Sequence, residues 1–200
     1  MAEHNIDTEA LTNIVRNIVE EMSQGRNGET PGNSPGSGSQ SYGEVNEKDN
    51  VRSVALGSDH GGFESKECVK TYLQGLGYNV VDVGTDSKAS VDYPDFALAV
   101  AKKVQNGSCE RGIMIDGAGI VSSMVCNKVK GIRAALCYNL QTVTNSRVHN
   151  NANVLTLGGP MHGCGEICEM VKVWLETRFE GGRHWARINK MMAVEQDRRV

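Results

Sequence analysis

The side chains best suited to chemistry stand next to glycines. Gly57-Ser58-Asp59-His60-Gly61-Gly62 sets a carboxylate beside an imidazole, a pair that can exchange protons near neutral pH, between residues that let another backbone approach closely. Asp116-Gly117-Ala118-Gly119 puts a second carboxylate ahead of a glycine turn whose successive N–H groups form an anion-binding nest. Arg183 and Arg187 in GGRHWAR are four apart, so on a helix they share a face and can grip a phosphate with several donors; a solvated basic face is the plainer alternative. Arg147, His149 and Asn150 in SRVHNNAN fall where a helix ends, and there the histidine could equally be a favourable cap on the helix dipole. Taken together, these groups suit acid/base work on a small anionic substrate.

Six cysteines (Cys68, Cys109, Cys126, Cys137, Cys164 and Cys168) include no C-x-x-C pair and are too sparse for a disulfide scaffold, which points to a reducing compartment. Cys164 and Cys168 could share a helical face with His162 nearby and hold a metal. Small apolar thiols packed under a helix are the preferred reading, and no metal is expected.

The elements that must position these residues follow from hydrophobic periodicity. Short apolar runs at 51–57, 79–84, 111–116, 132–138 and 154–158 predict strands, and amphipathic stretches at 63–76, 94–105, 119–128, 140–150, 163–179 and 184–195 predict helices. Their alternation requires a parallel sheet covered on both faces, a doubly wound α/β domain of five strands over residues 51–200. In such sheets ligands gather at the carboxyl ends of the strands, which is where Asp59, His60 and Asp116 fall.

Two other segments precede this domain. Within residues 25–43, twelve of nineteen residues are Gly, Pro or Ser, so the segment 25–50 cannot bury enough apolar area to offset its ordering entropy and reads as a flexible linker. Ahead of it, Leu11, Ile14, Val15, Ile18, Val19 and Met22 recur at helical spacing, making residues 1–24 an amphipathic helix suited to docking on a partner. The alternative, a helix that completes the core of its own domain, fits poorly with so long a spacer.

The whole chain of 200 residues carries a net charge of −3, with no basic excess of the kind a nucleic-acid backbone demands. Residues 51–200 hold eighteen basic and fifteen acidic side chains, a mild excess that suits an anionic substrate. No run of 18 apolar residues and no basic segment followed by an apolar stretch is present, so neither a membrane span nor a secretory signal is expected.

The motifs GSDHGGF, DVGTDS, VDYPDFA, DGAG, NKVKGIRAALC, SRVHNNANVLTLG and EGGRHWAR, in this order, resemble the ribose-5-phosphate isomerase B family and its galactose-6-phosphate isomerase relatives. The resemblance covers residues 51–200. It implies a Rossmann-like fold, a homodimer sometimes paired into a tetramer with its active site at the subunit interface, and no metal or organic cofactor. The implied reaction interconverts an aldose phosphate and its ketose through ring opening and a cis-enediolate. By resemblance His149 opens the ring with help from Asp59, and the backbone of Gly117, Ala118 and Gly119 holds the enediolate. His60, Arg183 and Arg187 bind phosphate, and Asn150 contacts a sugar hydroxyl.

Four positions depart from the family pattern. Asp116 stands where a cysteine base is expected, Ala118 replaces a threonine, Val121 a glycine, and Pro160 an arginine often found there. A carboxylate can replace the thiol as proton-transfer base, so Asp116 is the expected base and ribose 5-phosphate the expected substrate. A tetrose or hexose phosphate, or a noncatalytic sugar-phosphate-binding or scaffold role, are the alternatives. Residues 1–50 are extra to the family and resemble the encapsulation peptides that direct enzymes into bacterial microcompartments. That likeness implies a cytoplasmic cargo enzyme whose helix binds a shell protein.

Overall fold

The computed structural model describes residues 51–195. The expected docking helix (1–24) and linker (25–50) lie outside the described residues. Five strands, β1 (Ser53–Ser58), β2 (Asn79–Asp82), β3 (Arg111–Asp116), β4 (Ala134–Leu136) and β5 (Val154–Gly158), pair in parallel in the order β2-β1-β3-β5-β4. Six helices connect or follow them: α1 (Phe63–Gly75), α2 (Tyr93–Gln105), α3 (Ile120–Cys126), α4 (Leu140–Val148), α5 (Cys164–Glu176) and α6 (Arg183–Ala193). The doubly wound α/β reading therefore holds over the described residues. The central strands are apolar on both faces, as a sheet covered twice requires: Val54, Ala55, Leu56, Ile113, Met114 and Ile115 are all fully buried.

On one face Ala97, Val100 and Ala101 of α2 and Cys126 of α3 pack with Ala55, Met114 and Val154 of the sheet. Elsewhere α5 lies against both α1 and α4, and it contributes Trp174, whose buried Nε1 donates to Ser146 Oγ at 3.1 Å. Burying such a side chain stabilises the fold by about 2–3 kcal/mol. Lys66 of α1 is also buried. Its Nζ lies 2.7 Å from Asp82 Oδ2, which Lys70 Nζ also meets at 2.7 Å, and 2.8 Å from Glu67 Oε1.

The predicted boundaries shift where pairing or capping decides them. β4 is an edge strand that pairs with β5 only from Ala134 to Leu136, so it is shorter than its apolar run. α4 begins at a capping box in which Asn139 Oδ1 accepts from Thr142 N at 2.9 Å and Thr142 Oγ1 from Asn139 N at 3.3 Å. A 3₁₀ turn at Gly159–Met161, absent from the sequence reading, links β5 to α5. The cysteine reading changes too: Cys68 of α1 and Cys164 of α5 are joined as a disulfide, and Cys164 is exposed rather than packed beneath its helix. A sequence separation of 96 hides such a pairing from any spacing rule. No helix among the described residues is long and apolar enough to cross a membrane.

Candidate active site

From β1 the chain steps to β2 on one side and then to β3 on the other, so the topological switch lies between β1 and β3. Register makes their ends level: Ser58 stands opposite Ile115, so Asp59 and Asp116 are the next residues out on neighbouring strands. Asp59 is buried, and its Oδ1 accepts from Gly62 N at 3.0 Å, closing the loop into α1. Only glycine fits at position 62, where a Cβ would lie 2.1 Å from the carbonyl oxygen of Ile115. The two loops thus touch. Exposed His60 stands at the rim, its Nδ1 accepting from Val91 N at 3.2 Å, which assigns the ring proton of the neutral form to Nε2.

Asp116 is 1 % exposed. Its Oδ1 accepts from Ala118 N at 2.8 Å and from Gly119 N, and its Oδ2 from Ser122 N at 3.2 Å and from Ser122 Oγ. The N–H groups of Ala118 and Gly119 thus converge on the chain's own carboxylate. Gly119 makes the turn possible: its φ is +75°, and a Cβ would lie 2.6 Å from Leu136 Cδ1. Tyr138 Oη donates to Ala118 O at 3.1 Å and fixes the far side of the turn. Beneath it, burial pushes the Cys126 thiol up to about 12, with the Asp116 charge adding to the shift.

The other site residues gather elsewhere. α4 runs from the carboxyl end of β4 back toward the start of β5, so His149, which ends it, lies at the amino edge of the sheet. His149 Nδ1 is 3.2 Å from Asn145 Nδ2, which assigns the amide as donor, and Nε2 is 3.7 Å from Glu180 Oε2. Its ring stacks on His184 with centres 4.6 Å apart, and His184 Nε2 lies 3.1 Å from the same Glu180 oxygen. Exposed Asn150 donates through Nδ2 to Asn145 O and Oδ1, both at 3.2 Å. Arg183 and Arg187 are exposed on the first two turns of α6, and Arg183 Nε is 3.5 Å from His184 Nε2. Arg147 leaves the binding set: it is buried, with Nη1 donating to Asn151 Oδ1 at 2.7 Å and Ala152 O at 2.6 Å, and it ties α4 to the strand that follows.

The predicted residues thus form two groups at opposite edges of one sheet. Nine residues of α4 at about 1.5 Å rise separate those edges by roughly 13 Å. The pairing of both carboxylate loops with the histidine and arginines is not made within a single chain.

Comparison with known proteins decides the family. The model of the Ribose/Galactose Isomerase family matches residues 54–191. Ribose-5-phosphate isomerase B of Escherichia coli strain K12 is 38 % identical over 148 residues, 74 % of this chain and 99 % of that protein. The chain belongs to the ribose/galactose isomerase family. It is an isomerase. The solved ribose-5-phosphate isomerase B of Clostridium thermocellum superposes with a TM-score of 0.71 at 45 % identity, covering 72 % of this chain and 98 % of that one. The Mycoplasma genitalium ribose-5-phosphate isomerase B, solved with bound ribulose 5-phosphate, gives 0.69 at 40 % identity and covers 72 % and 97 %.

Three residues that contact the candidate site residues were not singled out from the sequence. Glu180 precedes α6 and is turned back toward His184 by Gly181 and Gly182, both at positive φ, so no spacing rule finds the pair, and Ser122 lies one turn beyond the glycine turn. Among the described residues, His149, Glu180 and His184 are also one of two groups with donor atoms close enough together for a cation, all within 4.8 Å. Here the carboxylate serves as partner to both imidazoles.

Proposed function

We propose that the chain interconverts ribose 5-phosphate and ribulose 5-phosphate through a cis-enediolate, in a homodimer whose sites combine residues of both subunits. The observation that carries this reading is the register of β1 and β3, which sets Asp59 and Asp116 side by side at the topological switch point, where α/β sheets bind ligands. The bound ribulose 5-phosphate of the Mycoplasma genitalium relative supports the pentose as substrate. The distance between the two groups of site residues supports the dimer, because a pentose phosphate is too short to reach from one edge of the sheet to the other. Exposed Leu98 on α2 and Ile120 and Met124 on α3 supply apolar surface beside the carboxylate loops for a second subunit to cover.

In this reading Arg183 and Arg187 of one subunit, with His60 of the other, hold the phosphate. His149 gives its Nε2 proton to the ring oxygen and takes the anomeric hydroxyl proton in its place; Glu180 and Asn145 orient its ring, and Asp59 assists across the interface. Asn150 holds a sugar hydroxyl. Asp116 then moves the C2 proton to C1. The freely rotating hydroxyl of Ser122 can vacate Oδ2 without moving backbone, giving the carboxylate a lone pair for the proton. As Asp116 takes that proton its negative charge passes to the enediolate, and the N–H groups of Gly117, Ala118 and Gly119 follow the charge to the substrate oxygen.

Residues 1–24 are proposed as the segment that binds a shell protein of a bacterial microcompartment, with 25–50 as the tether. What supports this is the amphipathic stripe, the Gly/Pro/Ser composition, and a family match that begins only at residue 54.

The test follows the ketose directly with purified protein on a panel of tetrose, pentose and hexose phosphates. Turnover of ribose 5-phosphate above the others is expected. Absence of any ketose from the whole panel, with a folded protein, would overturn the catalytic reading. Deleting residues 1–24 should leave turnover intact and remove co-sedimentation with shell proteins.

A further inference from the structure

Three cysteines meet where the first turns of α5 face α1. Cys68 is joined to Cys164, and Cys168 Sγ lies 3.6 Å from Cys68 Sγ. All three sulfurs are within 4.8 Å of one another, although Cys68 is 96 and 100 residues from its two partners in the chain. Nothing in the isomerase chemistry uses them. The other cysteines of the described domain, Cys109, Cys126 and Cys137, are buried at three separate points in the sequence and take no part in this cluster.

A disulfide engages two of these sulfurs and leaves the third beside it. A chemistry that engages all three is coordination by thiolates. In a tetrahedral centre with metal–sulfur bonds of about 2.3 Å, neighbouring sulfurs stand roughly 3.8 Å apart, close to the 3.6 Å between Cys68 and Cys168. The i, i+4 spacing of Cys164 and Cys168 presents two thiols from one face of α5, and Cys68 brings the third from α1. Exposed Cys164 gives a cation a way in, and buried Cys168 gives it a dry side. Two residues ahead of Cys164 stands His162, whose side chain is 5 % exposed; its Nδ1 is 3.1 Å from Glu166 Oε1, yet neither ring nitrogen makes a hydrogen bond of acceptable geometry. His162 lies outside the group of donor atoms within 4.8 Å, so the chain supplies three ligands and the fourth position is left to solvent.

We propose that Cys68, Cys164 and Cys168 form a binding site for a soft divalent cation of the zinc class in the reduced chain, and that the Cys68–Cys164 disulfide is the oxidised, cation-free form of that site. The steps balance. A thiol reductant supplies two electrons and two protons to split the disulfide and is itself oxidised to a disulfide; the cation then displaces three thiol protons as three metal–sulfur bonds form. A two-electron oxidant, such as a low-molecular-weight disulfide, reverses the sequence, because a sulfur committed to an S–S bond no longer donates as thiolate. Either form staples α1 to α5.

The test uses the full chain, reduced under nitrogen, loaded with zinc or cobalt(II) and desalted before metal analysis. One cation per chain is expected for the reduced wild type, with thiolate-to-cobalt charge-transfer absorption, and none for the oxidised wild type or for the triple variant Cys68→Ser, Cys164→Ser, Cys168→Ser. A second readout needs no variant: alkylation of Cys68 and Cys164 in the reduced wild type should fall at least tenfold when zinc is present. No retained cation in the reduced wild type, equal retention in the triple variant, or alkylation unchanged by zinc would each overturn the proposal.

Discussion

The imidazole of His149 lies against that of His184, ring centres 4.6 Å apart and planes inclined by 22°, with one carboxylate oxygen of Glu180 facing Nε2 of both. His184 is buried, so it acts as a floor that fixes the plane of the more accessible ring.

If His149 opens the sugar ring, as proposed, its replacement separates ring opening from proton transfer. Replacing His149 by Ala should lower kcat by about 10²–10⁴, the span typical of losing a positioned acid/base. Ring opening then becomes the slow step, so the primary isotope effect with C2-deuterated substrate should vanish in the variant while it persists in the wild type. An undiminished isotope effect in His149→Ala would assign the histidine to another step.

Asp116 poses the opposite question, since its four hydrogen bonds suit a strut as well as a base. The variant Ser122→Ala removes the side-chain contact to Oδ2 and keeps the backbone cradle. If Asp116 is the base, Ser122→Ala retains turnover within about tenfold, whereas Asp116→Asn loses at least about 10²-fold and stops C2-proton exchange with solvent. Exchange persisting in a folded Asp116→Asn protein would leave the residue a strut.

The buried ammonium of Lys66 gives a stability prediction with a sign in pH. Burial opposes ionisation of Asp82, but the hydrogen bonds from Lys66, Lys70 and the Gly84 N–H prevail and hold its carboxyl below the usual range. A lowered carboxylate contributes stability that is present above its unfolded value, about 3.9, and lost as pH falls through its folded value. Asp82→Asn should therefore cost about 3 kcal/mol near neutral pH, at the low end for a buried pair because Glu67 Oε1 remains 2.8 Å from Lys66 Nζ. The gap between variant and wild type in urea denaturation should narrow below about pH 4. A gap equally wide at pH 3 and pH 7 would mean the carboxylate charge contributes nothing.

Sequence order made the sheet and the loops after its strands legible, because continuous apolar runs alternating with amphipathic helices admit few topologies, and glycines beside Asp59 and Asp116 mark strand ends. What stayed hidden was distance across the fold. Asp116 and Ser122 are six apart, but only the helix start that Gly119 permits turns both onto one carboxylate. The disulfide partners Cys68 and Cys164 meet only after α1 and α5 pack. Arg147 sits beside His149 in sequence and yet points inward to Asn151 and Ala152, a choice made by helix phase rather than residue type.

Mixed dimers test whether the proposed site is shared between subunits. The carboxylate loops follow β1 and β3 at the carboxyl edge, while His149 and the α6 arginines stand at the amino edge, so the proposed dimer site takes one edge from each subunit. A chain carrying Asp116→Asn and a chain carrying His149→Ala should both be inactive alone. Co-expressed in equal amounts, half of the dimers are mixed, and each mixed dimer holds one site with both residues intact and one with neither. Activity should return to about a quarter of the wild-type value per chain. If the sites were built within single chains, every site in every dimer would keep one lesion, and the mixture would remain as inactive as its parents.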